Sequence, residues 1–304
     1  MRGLVGRIAI VAWTASLPSA VIAGDPWTDG YYNVSDGTRL HYVEMGKGTP
    51  VILIHGAGGS AVGNWFSNGI APALADTNRV IGIDMRGHAL SEEGPPGGRS
   101  KMAADVLELM AQQGIEKAHI GGYSMGGGVT LSLLVSNPEK FITAHFGGSG
   151  IGETDEWRDR VPADKEGEAP EEEKARAEYY RIQEERRAQR GTEVGNNPRD
   201  LARLRSGQSE LSDEERRRLR EEYAARRAEQ LAALDLSAID FPVLAVNGEY
   251  DRPYAKTHRM WRELGNFTNV VLPGHGHLSA VMPGFIPQQY IDALADFIEN
   301  HNPE

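Results

Sequence analysis

The chain is 304 residues long, 40% hydrophobic and 25% charged, and its 43 acidic against 32 basic side chains leave a formal net charge of −11. That balance excludes a disordered chain, which lacks the apolar surface to build a core, and argues against a nucleic-acid binder, which presents a basic face. Cysteine is absent, so disulfides and a lipid-modified cysteine are excluded; export stays open, because it does not require disulfides.

The N-terminus opens with Arg2 and Arg7, continues with a short apolar run from Ile8 to Leu17, breaks at Pro18 and offers Val21-Ile22-Ala23 before Gly24. This is the pattern of a secretory leader spanning residues 1–23. The apolar run is too short to span a bilayer comfortably. The mature chain is therefore expected to be secreted or periplasmic, with no stable membrane insertion after cleavage.

Next, "YYNVSDGTRLHYVEMG" alternates around the turn pair Asp36-Gly37 and predicts a β-hairpin. "PVILIHGAGG" is a continuous apolar run ending in glycines, as a buried parallel strand requires, and "NRVIGIDMRGH" repeats that logic. Lys101 to Gln113 has helical periodicity through Met102, Val106, Leu109 and Met110. "KAHIGGY" predicts a strand running directly into a helix that ends at Asn137-Pro138, and "KFITAHFGGSG" a further strand. From about Glu153 to Glu229 the composition turns to densely mixed charge, with a capping-box helix start at Ser212 and Glu215. Leu219 and Tyr223, and Tyr179 and Ile182, have the spacing to share a helical face. Most of the block's charges are expected to be solvated. Strands resume at "FPVLAVNGEYD" and "FTNVVLPGHGH", and a helix from about Pro287 to Asn300 closes the chain.

Alternating strands and helices give an α/β fold: a mostly parallel central sheet, helices on both faces and a helical lid insertion. The expected division is a leader at 1–23, a core at 24–152, a charged helical lid at 153–235 and the rest of the core at 236–304.

Gly122-Tyr123-Ser124-Met125-Gly126 fits G-x-S-x-G and lies between a strand and a helix, the context in which that motif mounts a nucleophile on a sharp turn. A serine hydroxyl needs a base. His277 in "LPGHGHLSA" is preferred to His275, because it lies deeper in the loop and runs into Leu278. Asp251 in "NGEYD" is preferred to its neighbour Glu249 as the carboxylate that orients the base, with Glu153 and Asp155 as fallback acids. The amides of Met125, directly after the nucleophile, and of Ala57, in "HGAGG", are the expected oxyanion donors. His55 is expected to pack the loop.

These pieces resemble the α/β-hydrolase fold family, in its serine esterase and lactonase branch. The resemblance rests on "HGAGG" with Asn64-Trp65 beyond it, "DMRGHALS" at Asp84 to Ser91, "GYSMGG", "NGEYD" and "GHGH". It covers the chain from about Tyr31 to the C-terminus, except for the insertion, which occupies the family's usual lid position. It implies a Ser-Asp-His triad at Ser124, Asp251 and His277 and no cofactor. It also implies that the D-x-R-G-H-G-x-S loop, here with Ala89 in place of a glycine, shapes the site without taking part in chemistry. Dehalogenases and epoxide hydrolases of this family carry an aspartate at the elbow, where this chain has Ser124.

The expected activity is hydrolysis of a carboxylic ester or lactone, a small-molecule substrate, through an acyl-enzyme. An amidase, a perhydrolase, a C–C hydrolase on the same triad, and a non-catalytic ligand-binding protein on the same scaffold are the alternatives. A highly charged lid disfavours the large apolar patch that an oil interface requires.

Overall fold

Each apolar run becomes a strand of one eight-stranded sheet. The computed structural model describes residues 26–95, 97–193 and 212–303, so the expected leader at 1–23 lies outside the described residues. The strands are β1 (Thr28–Asn33), β2 (Arg39–Met45), β3 (Thr49–Ile54), β4 (Asn78–Asp84), β5 (Ala118–Tyr123), β6 (Phe141–Gly147), β7 (Val243–Gly248) and β8 (Phe267–Leu272). Their order is β1-β2-β4-β3-β5-β6-β7-β8. β1 and β2 pair antiparallel, as do β2 and β4, and every other pair is parallel. The expected hairpin is thus the edge of the sheet, with Gly37 at φ +86° closing its turn.

Strand side chains alternate between two cores. Ile52 and Ile54 of β3 join Val106, Leu109 and Met110 of α2 (Gly98–Gln112) and Val129 and Leu133 of α3 (Met125–Ser136) on one face. Val51 and Leu53 join Trp65, Phe66, and the helices α1 (Ile70–Leu74) and α7 (Gln288–Glu299) on the other. Strands buried on both faces favour apolar side chains, which is why residues 51–54 of β3 and 243–246 of β7 read as unbroken runs. After β3 the chain steps to one side into β4 and then crosses to the other side into β5. That reversal opens a crevice beyond the C-terminal ends of β3 and β5, the usual place for a ligand in such sheets.

Between β6 and β7 the charged block forms α4 (Glu172–Glu193) and α5 (Asp213–Ala232) after a 3-10 turn at Asp155–Arg160. The Ser212 and Glu215 side chains close the expected capping box on α5. The side chains of Leu219 and Tyr223 lie outside the described set. Tyr179 and Ile182 do share a face, and both rest on the second core. Solvation holds for pairs such as Glu178 with Arg181 and Glu171 with Lys174. It fails for Glu172, only 7% exposed. The remaining helix, α6 (Pro253–Glu263), follows β7 and buries Met260.

Candidate active site

β5 delivers Ser124 by a turn that only a particular sequence permits. Ser124 has φ +53° and ψ −105°, a strained left-handed conformation for a residue with a side chain. A Cβ on Gly122 would lie 2.1 Å from the carbonyl carbon of Gly126, and one on Gly126 would lie 2.2 Å from the Ile54 oxygen. Neither position can hold another residue without breaking the turn or its seat on β3. The other glycines here have different neighbours. Gly128 makes room for the Arg99 side chain rather than for the sheet, and Gly121 sits tightly between Leu53 and His145.

The structure brings Ser124, His277 and Asp251 together from three loops at one sheet edge. The Ser124 hydroxyl donates to His277 Nε2 at 3.0 Å, and His277 Nδ1–H donates to Asp251 Oδ2 at 2.8 Å. The buried Tyr123 hydroxyl donates to the His277 carbonyl, and its ring lies 5.4 Å from the imidazole. The alternatives go elsewhere. His275 Nδ1–H donates to the Ser279 carbonyl at 3.1 Å. Glu249 accepts from the Gly274 amide and pairs with Lys165, the first contact chiefly holding its carboxyl below the ordinary value. Asp155 pairs with Arg158. Glu153 accepts from His258 and Arg262, each at 2.7 Å; burial opposes its charge, but these partners outweigh it and keep its carboxyl low.

The loop after β3 brings Ala57 to the cavity that Ser124 lines. Asn64 Oδ1 accepts from the Gly56 amide at 2.8 Å. His55 is buried, donates from Nδ1 to the Gly56 carbonyl at 2.7 Å and accepts from the Met85 amide at Nε2 at 3.0 Å. Both ring nitrogens are thereby occupied in the neutral tautomer, and burial lowers its pKa, so His55 packs the loop as expected. Ala57 and Ser124 line one cavity of about 360 Å³ with Gly56, Asn64, Tyr123 and His277. Its outer wall includes Glu172, Arg176 and Tyr179 of α4.

Hydrogen bonds and an ion pair hold the loop that begins at Asp84. Asp84 accepts from His41 and from the Ala61 amide, each at 2.8 Å, and Arg86 pairs with Asp105 through two nitrogens. Ala89 takes φ +41°, the left-handed conformation its usual glycine would supply without strain.

Sequence reasoning missed Lys256, whose ammonium sits on the second oxygen of Asp251, and three residues of α4: Glu172, Tyr179 and Gln183. The Glu172 carboxylate accepts from the Leu278 and Ser279 amides at 2.7 and 3.0 Å. Tyr179 donates to the Ala57 carbonyl at 2.6 Å, and Gln183 to the Gly58 carbonyl at 2.8 Å. Only the spacing of Tyr179 from Ile182 hinted at this inward face.

A family model described as alpha/beta hydrolase fold matches residues 49–281. Among curated proteins, the dihydrolipoyllysine-residue acetyltransferase component of the acetoin cleaving system of Pseudomonas putida is 37% identical over 121 residues, 38% of this chain and 32% of that protein. A 2-hydroxy-6-oxononadienedioate/2-hydroxy-6-oxononatrienedioate hydrolase of Paraburkholderia phymatum is 36% identical over 148 residues, 46% of this chain and 50% of that protein. The chain thus spans about a third to a half of the length of these relatives. Among solved structures, the 2-hydroxy-6-oxo-6-phenylhexa-2,4-dienoate hydrolase of Rhodococcus sp. strain RHA1 has a TM-score of 0.59 at 25% identity, covering 90% of this chain and 99% of that one. An N-acyl homoserine lactone degrading enzyme shares the fold, with a TM-score of 0.55 at 21% identity over 88% of this chain and all of that one (100%). With that family match running from β3 to the loop after β8, the chain belongs to the alpha/beta hydrolase fold family.

Proposed function

We propose that the chain is a serine hydrolase that cleaves a small carboxylic ester or lactone through an acyl-enzyme on Ser124. The observation that carries this reading is the unbroken relay from Asp251 through His277 to Ser124, with hydrogen bonds of 2.8 and 3.0 Å. In the proposed reaction His277 Nε2 takes the proton as Ser124 Oγ bonds to the substrate carbonyl carbon. Asp251 holds the imidazole in the productive tautomer and stabilises the imidazolium. The Ala57 and Met125 amides receive the oxyanion, each donor of this kind contributing roughly 2.7–4 kcal/mol. The tetrahedral intermediate expels the alkoxide, which takes the proton from His277. Water, activated by the same imidazole, then releases the acid and frees Ser124.

Residues 153–235 act in this proposal as the lid that shapes the substrate cavity, and residues 1–23 as a leader removed on export. A second reading, hydrolysis of a C–C bond in a 2-hydroxy-6-oxo acid on the same serine, is favoured by the names of the Paraburkholderia and Rhodococcus relatives. The test is a panel of activated aryl esters, lactones and 2-hydroxy-6-oxo dienoates on the purified chain, with fluorophosphonate labelling in parallel. Ser124→Ala is expected to lose labelling and at least about 10⁴-fold in turnover while staying folded. Retained turnover in that variant overturns the assignment.

A further inference from the structure

We propose that Glu172 is a positioning residue for His277, and that docking of the inserted helix α4 sets the geometry of both loops that act on Ser124. The proposal rests on the serine-hydrolase reading above. Glu172 opens α4, and its buried carboxylate receives three hydrogen bonds from the loop that carries the base. Oε1 accepts the Leu278 amide at 2.7 Å, and Oε2 accepts the Ser279 amide at 3.0 Å and the Ser279 hydroxyl at 2.8 Å. The same Ser279 oxygen accepts the Gly276 amide at 2.8 Å. Residues on both sides of His277 are therefore tied to one carboxylate, directly or through one hydroxyl. A buried carboxylate is costly unless its oxygens are satisfied, so α4 docks with its first turn closed only when this loop presents those donors.

The fit is close enough to dictate the neighbouring sequence. A Cβ on Gly276 would lie 2.4 Å from Glu172 Oε2. The glycine between the two histidines is thus the place the carboxylate enters. Two turns further along α4, on the same face as Glu172 and the fully buried Ala175, the helix grips the opposite loop. Tyr179 donates to the Ala57 carbonyl, and Gln183 donates both to the Gly58 carbonyl and to the Tyr179 oxygen, the last at 2.6 Å. The Ala57 carbonyl lies in the peptide plane next to that of the Ala57 amide, joined through one Cα, so anchoring it restrains the amide alongside the Gly56 carbonyl, which accepts from His55 and the Gly59 amide. One face of α4 therefore bridges the base loop and the oxyanion loop.

The test uses the full chain carrying Glu172→Gln, which sets an amide NH₂ against one of the backbone donors. The expected result is a loss of about 30- to 100-fold in kcat on an activated aryl ester, the scale of a displacement near 1 Å, with KM little changed. The low-field proton NMR resonance of His277 Nδ1–H, which reports its bond to Asp251, is expected to shift or broaden in the resting protein. Circular dichroism and the urea midpoint establish that the variant is folded; if it is not, Ser279→Ala, which removes one of the three donors, is read in the same way. Tyr179→Phe is expected to lower kcat about tenfold while leaving that resonance in place. Glu171→Gln, one residue away and exposed in a pair with Lys174, is expected to change neither readout. An unchanged resonance in folded Glu172→Gln overturns the proposal whatever happens to the rate. If the wild type neither labels with fluorophosphonate nor turns over ester, the serine-hydrolase reading fails, while the resonance still decides whether Glu172 places His277.

Discussion

Asp251 divides its carboxylate between two partners: Oδ2 lies 2.8 Å from His277 Nδ1, and Oδ1 lies 2.5 Å from Lys256 Nζ. Lys256 stands on the first turns of α6 and also donates to the Gly148 carbonyl at 3.1 Å. Burial lowers the lysine's pKa, and the Asp251 charge pulls it back up. Asp251 therefore faces the His277 ring on one oxygen and a lysine ammonium on the other. Arg252 and Asp164, the other charges acting on Lys256, are of opposite sign to one another.

Lys256→Met is expected to free Asp251 Oδ1 of its cation and so to loosen the carboxylate that orients His277 in the proposed reaction. The expected outcome is a loss of about tenfold in kcat on an activated ester with KM little changed. Steady-state kinetics at one pH measure this. An unchanged kcat in the folded variant shows that Lys256 does not help to hold Asp251.

Ala89 lies in the turn after β4, where the Leu90 amide donates to Asp84 Oδ2 at 3.3 Å and φ is +41° at Ala89 itself. A glycine removes the Cβ strain of that conformation but gains freedom when unfolded, so the two effects oppose. The strain is the larger, and Ala89→Gly is expected to raise stability by about 0.5–1 kcal/mol. Urea midpoints at unchanged m-value decide the sign.

Acid is expected to destabilise the fold before carboxylates titrate. Burial lowers the pKa of His119 from 6.5 to about 4 and that of His145 from 6.5 to about 3. Between 6.5 and those values the unfolded chain binds protons that the folded chain refuses. Stability contributed by neutral His119 and His145 is therefore present above 6.5 and lost as pH falls, each site with a slope approaching about 1.4 kcal/mol per pH unit. His55 is lowered by burial in the same sense. His41 acts oppositely: burial works against its charge, but Asp84 and Asp29 outweigh it and raise its pKa, so its contribution is lost above 6.5. His119→Asn, at a site bonded to Thr143 and Asn302, should reduce proton uptake on unfolding by nearly one at about pH 5, and by roughly half that at pH 6.5. Urea titrations across that range give the slope directly, and an undiminished slope in the variant would falsify the assignment.

Local chemistry made part of the site readable. Ser124 stands in a motif whose glycines are dictated by backbone atoms a few residues away or on the adjacent strand, so its role shows in a short window. Asp251 and His277 each follow a strand end, and parallel strands deliver their C-terminal loops to one edge. Lys256 and Glu172 carry no such mark. Glu172 is one of three consecutive glutamates in a block of mixed charge, and nothing local distinguishes it from Glu171, which is solvated and paired with Lys174. Gly128 is illegible for a related reason: its neighbour is an arginine from another helix, at no fixed sequence distance.

By itself the sequence determined the sheet, the elbow at Ser124 and the candidates for its partners, because strand periodicity and turn sterics act over a few residues. The choice of His277 over His275 was weakly marked, since both sit after glycine in one loop. Tertiary structure decided what that loop is held by: a carboxylate more than one hundred residues earlier in the chain, at the start of a helix that reads as solvent-facing. Hydrogen bonds and ion pairs between distant segments depend on where the fold places each donor, and that placement leaves no period in the chain.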